Sequence, residues 1–332
     1  MSLKHDHFSE QLESGSPVVQ EADGPVVCAW RQFGVQATGV NREEVDARLV
    51  ARFGPEAEGW LAEVPSLAAR LAAQWGFVLG ELFESGASSV VFRCQWRDGT
   101  PAVLKLSPDR ALLTKQVEML RVFAPSGRVP AVLSADAEAG AMVLEEVLPG
   151  TEAEVMPQTS LPQQWGELLA ALHAVAPPAH WPLDLRGRCD EAFVRIGRRL
   201  SEPAIGARID QAAWQRAIRR CETLLDSQAR RVLLHGDLHL GNVLDGGPSR
   251  GLIAIDPKAC MGDPCFDAVD YVVAGAGQEG VEARCQRVAT ACGLDGDRLY
   301  AWSRVIAPMA AIAHLTYDGP EPVIDELLAL SC

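Results

Sequence analysis

Residues 233–267 constrain the fold of this chain more than any other segment. They read LLHGDLHLGNVLDGGPSRGLIAIDPKACMGDPCFD, so acidic and polar residues alternate with short apolar runs. The apolar runs predict three short strands, at 232–234, 243–244 and 252–255. The second and third runs can pair as a hairpin, which would bring Asn242 next to Asp256.

The spacing of three polar residues in this segment suits phosphoryl transfer. Asn242 follows Asp237 by five residues, and Asp256 follows Asn242 by fourteen. Transfer of a phosphoryl group from ATP needs a carboxylate that orients the attacking hydroxyl and oxygen ligands that hold Mg²⁺ against the phosphates. Magnesium keeps most of its waters and needs few protein ligands. One Asp, one Asn and a second Asp supply that set.

Two other interpretations of the segment stay open at this point. In a zinc hydrolase, His235, Asp237 and His239 would be the metal ligands, since H-G-D-L-H has a spacing found in metal sites. No further His follows at a suitable distance. The segment could also be a turn rich in polar residues, because Asp and Asn are common in turns.

The rest of the sequence indicates an α+β protein of two lobes. We expect residues 1–41 to be a mobile leader, 42–147 to form a nucleotide-binding lobe that ends in a hinge, and 148–332 to form a helical lobe with the catalytic loop and the acceptor site. In the first lobe the patterns predict helices at 42–75 and 114–123 and strands at 90–96, 102–106, 132–133 and 141–147. In the second lobe they predict helices at 161–175, 191–200, 209–227, 281–292 and 298–314.

The motif H-G-D-L-H-L-G-N, followed by I-D-P and G-D-P-C-F-D, resembles the aminoglycoside phosphotransferase family, a branch of the protein-kinase-like fold. Flanking segments resemble its subgroup of streptomycin 6-phosphotransferases and hydroxyurea phosphotransferases. Those segments are WLAEVP at 60–65, LAAQWG at 71–76, GASS at 86–89 and DGTPAVLK at 98–105. The resemblance implies a bilobal fold with a small antiparallel β-sheet in the N-lobe and a larger helical C-lobe.

The resemblance also implies roles for individual residues. Asp237 matches the catalytic Asp that accepts the proton of the substrate hydroxyl, and Asn242 and Asp256 match the Mg²⁺ ligands. Lys105 matches the lysine that holds the α- and β-phosphates of ATP. Glu118, thirteen residues later on a predicted helix, is then our candidate for the ion-pair partner of Lys105.

Further nucleotide contacts are expected from two other segments. The family's kinase relatives cover the phosphates with G-x-G-x-x-G, which is absent before the first predicted strand. In its place, Ser88 and Ser89 can offer hydroxyls and backbone N–H groups to phosphate oxygens. The backbone of the hinge, at Glu145 and Val147, is expected to meet the adenine.

Charge and composition limit the partners. The net charge of −14 argues against a protein that binds nucleic acid through its phosphates, and is compatible with a cationic small-molecule acceptor. Such an acceptor needs carboxylates near the cleft; the candidates are Asp190, Glu191, Asp325 and Glu326.

No apolar stretch has the length of a membrane span. Nine irregularly spaced cysteines, with no C-x-x-C, favour reduced thiols and a cytoplasmic location. We expect a monomer or a homodimer.

Together these features predict an ATP- and Mg²⁺-dependent kinase that phosphorylates a hydroxyl of an aminoglycoside, with 6-O-phosphorylation of streptomycin favoured. One alternative is a kinase of the same fold that acts on another hydroxylated metabolite or antibiotic. Another is a nucleotide-binding pseudokinase, although Lys105, Asp237, Asn242 and Asp256 are all present. A protein kinase is disfavoured because D-F-G and A-P-E motifs are absent.

Overall fold

The computed structural model of the protein describes residues 42–83 and 88–331. The predicted leader, 1–41, lies outside them, and the boundary between the lobes at residue 147 stays a prediction. The first two elements are the helices α1 (Arg42–Phe53) and α2 (Glu56–Trp75). One continuous helix over 42–75 was predicted, but the chain breaks at Gly54, which has a φ of 88°. Pro55 follows and cannot donate a helical hydrogen bond.

The N-terminal part contains a five-stranded antiparallel sheet in the order β1-β2-β3-β5-β4. Its strands are β1 (Phe77–Leu82), β2 (Val90–Trp96), β3 (Pro101–Leu106), β4 (Val132–Asp136) and β5 (Ala141–Glu145). The sequence patterns missed β1, which pairs with β2 and has a glycine and a glutamate in its second half. One face of the sheet packs against α1 and α2, where Leu49, Leu71, Phe92 and Leu104 are fully or almost fully buried.

Helix α3 (Arg110–Phe123) lies between β3 and β4 in the chain. It begins four residues before the predicted start, because the Asp109 carboxylate accepts the Leu112 N–H at 2.9 Å and caps the helix. Its apolar face packs with the core of the C-terminal part. There the Ala259 N–H donates to the Met119 sulfur at 3.3 Å, which joins α3 to the segment that follows Asp256.

The C-terminal part is mainly helical. Its helices are α4 (Leu161–His173), α5 (Leu185–Gly197), α6 (Pro203–Gly206), α7 (Gln211–Asp226), α8 (Phe266–Val273), α9 (Val281–Cys292), α10 (Gly296–Thr316) and α11 (Glu321–Leu330). Helix α5 begins six residues before the predicted start, since the Asp184 carboxylate caps it by accepting the Gly187 N–H at 2.9 Å. Helices α6, α8 and α11 were not predicted.

Two short antiparallel strand pairs lie among these helices and are formed almost entirely by the segment 233–267. Strand β6 (Val232–Leu234) pairs with β9 (Cys260–Gly262), and β7 (Val243–Asp245) pairs with β8 (Leu252–Ala254). All three residues of β6 and of β8 are buried. The α+β class, the antiparallel N-terminal sheet and the helical C-terminal part are therefore confirmed. Within residues 42–83 and 88–331, no helix combines the length and the apolar character that a membrane crossing would require.

Candidate active site

The loop after β6 is fixed by one buried carboxylate. Asp267, in the first turn of α8, accepts the His235 N–H and the Gly236 N–H, each at 2.8 Å, and contacts His173 Nε2 at 2.9 Å. Burial alone would raise the pKa of Asp267, but the hydrogen bond and charge of His173 hold it below its usual range. The loop that presents Asp237 is thus anchored to the core of the C-terminal part.

The His235 ring has a structural role. Its Nε2 lies 2.9 Å from the Ile255 carbonyl oxygen, and its Nδ1 accepts the Asp237 N–H at 3.4 Å. Burial lowers the pKa of His235, so the ring is neutral near pH 7. Both ring nitrogens are engaged with the protein, which removes His235 from the zinc hypothesis. Among the described residues, no group of three or more His, Cys, Asp or Glu is placed to hold a metal ion.

The predicted hairpin brings Asn242 and Asp256 together. The Ile255 N–H donates to the Asn242 carbonyl at 2.9 Å, and Val243 pairs with Ala254. The Asn242 side-chain N–H₂ donates to the Asp237 carbonyl at 2.8 Å, so its Oδ1 remains an available acceptor. Asp256 is partly exposed and has a φ of 56°, a value that non-glycine residues seldom adopt and that often marks functional positions. An amide oxygen and a carboxylate fit Mg²⁺, which prefers oxygen ligands and few of them.

Lys105 reaches this pair from the N-terminal sheet. It is buried on β3, and its Nζ lies 2.5 Å from Asp256 Oδ1. The structure corrects the prediction for Glu118: this side chain is exposed on α3, and the ion-pair partner of Lys105 is Asp256. The reason is the helical period, because the buried face of α3 contains Gln116, Val117 and Leu120.

Two cations that sequence reasoning missed hold both oxygens of Asp237. Arg188 Nη2 lies 2.8 Å from Oδ1, and Lys258 Nζ lies 2.8 Å from Oδ2. Burial alone would raise the pKa of Asp237, but the charges of Lys258 and Arg188 hold it below its usual range. Lys258 could have been suspected from its place two residues after Asp256. Arg188 comes from α5 and carries no such signal.

A second carboxylate near Asp237 was also missed. Asp270 lies on α8 one turn after Asp267 and therefore on the side of the helix that meets the catalytic loop. It is half-buried. Burial and the charge of Asp237 raise the pKa of Asp270 to about 6. The site thus combines an ionised Asp237 with a neighbouring carboxylate that resists ionisation.

The four acidic residues expected to bind the acceptor lie in other surroundings. Glu191 pairs with Arg195 on the exposed face of α5, and Asp325 pairs with Arg208 on the surface. Asp190 is exposed. Glu326 accepts two backbone N–H groups at the start of α9, those of Gly277 and Val281. The structure brings none of the four into hydrogen-bond contact with Asp237.

The remaining candidates for nucleotide binding include Ser88 and Ser89, just before β2, and Val147, just after β5. The carbonyl of Ser88 accepts the Ser107 hydroxyl at 2.9 Å. The Ser89 hydroxyl is buried and has no partner among the described residues. Residues 84–87, the rest of the expected phosphate loop, lie outside those residues. The Val147 N–H, just after β5, has no backbone acceptor within the described parts of the chain.

Side chains at the expected hinge tie the two parts of the molecule together. Glu145 Oε2 accepts the Ala131 N–H at 3.2 Å, and Oε1 pairs with Arg250 in the turn between β7 and β8. The Arg128 guanidinium donates to the Arg250 carbonyl, and the Ala254 N–H donates to the Arg128 carbonyl at 2.8 Å. We call Arg128, Glu145 and Arg250 the interlobe clasp. The side chain of Glu145 is therefore engaged, and so is its N–H, which donates to the Ala131 carbonyl at 2.9 Å.

Comparison with known proteins agrees with this arrangement. The model of the phosphotransferase enzyme family matches residues 80–303. A streptomycin 6-kinase of Streptomyces glaucescens is 32% identical over 232 residues, which is 68% of this chain and 72% of that protein. A hydroxyurea phosphotransferase of Kitasatospora aureofaciens is 30% identical over 268 residues, 78% of this chain and 77% of that protein. Among solved structures, a choline kinase of Streptococcus pneumoniae superimposes with a TM-score of 0.56 at 13% identity, covering 80% of this chain and 96% of that one.

Proposed function

Because the chain belongs to the phosphotransferase enzyme family, we propose that it transfers the γ-phosphoryl group of ATP to a hydroxyl of an aminoglycoside, with the 6-hydroxyl of streptomycin as the favoured acceptor. The fold and the family make it a phosphotransferase with a hydroxyl acceptor. The antibiotic comes from the named activity of two streptomycin 6-kinases, which are 32% and 33% identical to this chain.

One observation carries the proposal: Lys105, from the N-terminal sheet, meets Asp237, Asn242 and Asp256 of the C-terminal part in one site. Asn242 contacts Asp237 at 2.8 Å, and Lys105 contacts Asp256 at 2.5 Å. The backbone hydrogen bond from the Ile255 N–H to the Asn242 carbonyl, at 2.9 Å, joins the two pairs. A pseudokinase would not need a base, two metal ligands and a phosphate-binding lysine together in one site.

The roles of the residues follow from their chemistry. Asp237 accepts the proton of the acceptor hydroxyl and orients its oxygen in line with the γ-phosphorus. Lys105 binds the α- and β-phosphates, the Ser88 and Ser89 groups meet the phosphate chain, and the Val147 N–H binds the adenine edge. Mg²⁺, held by Asn242 and Asp256, would neutralise charge on the phosphates. The protein supplies position and charge, since phosphoryl transfer needs little covalent help.

The test is an ATP-consumption screen of the full chain with streptomycin, a second aminoglycoside, hydroxyurea and a macrolide. We expect Mg²⁺-dependent ADP release with streptomycin, and NMR of the product should place the phosphate on the 6-hydroxyl. Turnover with hydroxyurea alone would identify the other named relative as the better guide to the substrate. If none of these acceptors supported ATP consumption, the aminoglycoside assignment would be rejected.

A change at the metal site should weaken the response to Mg²⁺. In Asp256→Asn the carboxylate charge that faces the metal is lost, while the size of the side chain is kept. We expect the Mg²⁺ concentration for half-maximal ATP binding to rise about tenfold, an effect typical of a weakened metal site. Titration of Mg²⁺ at fixed ATP by fluorescence or calorimetry measures it. Asp245→Asn, on the same hairpin, is the control and should leave the titration unchanged.

A second change tests the cationic acceptor. We propose that the Asp270 carboxylate binds a guanidinium or ammonium group of the acceptor, because it is half-buried beside Asp237. Asp270→Asn should raise the KM for streptomycin about tenfold, equivalent to roughly 1.4 kcal/mol of binding. It should leave the KM for ATP unchanged. The exposed Asp190→Asn is the matched control, and an equal effect in both variants would contradict the assignment.

The same carboxylate gives the acceptor KM a pH dependence. The pKa of Asp270 is raised to about 6, so the group is charged above that pH and neutral below it. The attraction for a cation is present above pH 6 and is lost as the pH falls. The KM of the wild type for streptomycin should therefore rise below pH 6, and in Asp270→Asn that rise should be much smaller.

A further inference from the structure

Lys258 has a backbone position that is fixed from two sides. Its N–H donates to the His235 carbonyl at 2.8 Å, at the start of the catalytic loop. A Cβ added to Gly236 would lie 2.4 Å from the Lys258 carbonyl oxygen, so the two backbones are in close contact. Asp256 precedes Lys258 by two residues. The side chain therefore starts between the expected metal ligand and the expected base.

The end of the side chain lies where the acceptor must bind. Lys258 Nζ is 2.8 Å from Asp237 Oδ2, and Arg188 Nη2 is 2.8 Å from Oδ1. Each carboxylate oxygen can accept a second hydrogen bond, but a cation at 2.8 Å on each oxygen narrows the room for an acceptor hydroxyl at Asp237, and a cation that moves away would widen it. The Lys258 side chain is 46% exposed and the Arg188 side chain 22%. Lysine also has a flexible stem and a compact charge, so Lys258 is the partner that can move.

A small movement of the Lys258 side chain away from Asp237 would bring its ammonium group to the phosphoryl group that is transferred. In an in-line transfer the phosphorus lies between the leaving oxygen, beside the metal ligands, and the acceptor oxygen at the base. The Lys258 backbone follows Asp256 by two residues, and its Nζ lies at Asp237. Resting on the proposed kinase function, we propose that Lys258 is a further catalytic residue, which leaves Asp237 when the acceptor binds and donates hydrogen bonds to the transferring phosphoryl oxygens.

The step balances without another reactant. The acceptor oxygen forms a bond to the γ-phosphorus as the bond to the β,γ-bridging oxygen breaks, and ADP leaves with that electron pair. The acceptor proton goes to Asp237. Lys258 takes no part in the proton transfer and stabilises the charge spread over the three equatorial oxygens.

The experiment compares Lys258→Met and Lys258→Arg with the wild type, and uses Lys115→Met, an exposed lysine on α3, as the control. Two quantities are measured: kcat with the best acceptor, and the affinities for ADP and for ADP with aluminium fluoride, which mimics the transferring phosphoryl group. We expect kcat to fall about 100-fold in Lys258→Met, with partial recovery in Lys258→Arg. The aluminium fluoride complex should weaken at least tenfold while ADP affinity stays within about twofold.

The binding measurement needs no acceptor, so it separates this inference from the proposed function. If Lys258→Met bound the aluminium fluoride complex as tightly as the wild type, or lost ADP and the complex equally, the inference would be overturned. Failure of the acceptor screen with a selective loss of the complex would reject the aminoglycoside and keep the role of Lys258. Thermal unfolding of each variant checks that the fold is retained.

Discussion

Asp237→Ala should lower kcat about a thousandfold and leave ATP binding nearly unchanged. General-base residues contribute about 10²–10⁴-fold to rates, and Asp237 acts on the acceptor and has no expected contact with the nucleotide. Steady-state kinetics with streptomycin and calorimetry with ATP measure the two effects. A variant that kept more than about a tenth of the wild-type kcat, a loss below roughly 1.4 kcal/mol of barrier, would show that Asp237 is not the base.

The structure adds a control that the sequence did not suggest. Removing the Asp237 side chain leaves Arg188 and Lys258 without their carboxylate partner, so Asp237→Ala changes both charge and packing. Asp237→Asn keeps the shape and still lacks the base. If both variants lose kcat alike, the loss of the carboxylate and not of its packing is the cause. A much milder loss in Asp237→Asn would point instead to altered packing around Arg188 and Lys258.

Asp267→Ala should damage both stability and activity. It removes a buried carboxylate that accepts two backbone N–H groups and contacts His173. Breaking a buried pair by removing one partner costs about 3–5 kcal/mol, because the remaining polar groups stay buried and unsatisfied. We expect the free energy of unfolding to fall by about 3 kcal/mol in urea titrations. The loop that presents Asp237 should lose its geometry, and kcat should fall about 100-fold or more.

Asp263→Ala is an informative comparison for this change. Asp263 is also almost fully buried and accepts the Cys265 N–H and the Trp302 indole N–H. It should reduce stability, while its effect on kcat should be smaller because it does not contact the catalytic loop. If Asp267→Ala and Asp263→Ala lowered kcat equally at matched stability, the loop-anchoring role of Asp267 would be wrong.

The catalytic hairpin could be predicted because the necessary signals are local. Short apolar runs flank Asn242 and Asp256, and a Gly-rich turn separates the runs, so the pairing of β7 with β8 follows from turn chemistry. The place of Lys105 near the end of a strand follows from the Asp-Gly hairpin, whereas its proposed phosphate-binding role came from the family resemblance. Residues of this kind are specified within about twenty positions of sequence.

The error at Glu118 could also have been avoided from the sequence. Leu113, Val117 and Leu120 form an apolar stripe, and Glu118 lies off that stripe. An acidic residue was selected by type, although the helical period already placed it toward solvent. The position that the stripe does bury is Gln116, a residue without charge.

The helix residues that surround Asp237 could not be predicted. Arg188 and Asp270 approach Asp237 from α5 and α8, and their distances in sequence carry no pattern. Helix α8 is short and begins within the G-D-P-C-F-D motif. Tertiary packing of two helices, whose relative position no local signal defines, decides which of their polar residues face the base.

The interlobe clasp has a consequence for how the nucleotide enters and leaves. Arg250 belongs to the turn of the hairpin that carries Asn242 and Asp256, and it holds Glu145 at the end of β5. A wide rotation of the lobes would therefore have to break the clasp or move the β7–β8 hairpin along with the N-terminal sheet. A smaller motion that leaves the clasp closed needs neither change. We therefore expect the clasp to keep Asn242 and Asp256 in a fixed position relative to the end of β5 while the nucleotide is exchanged.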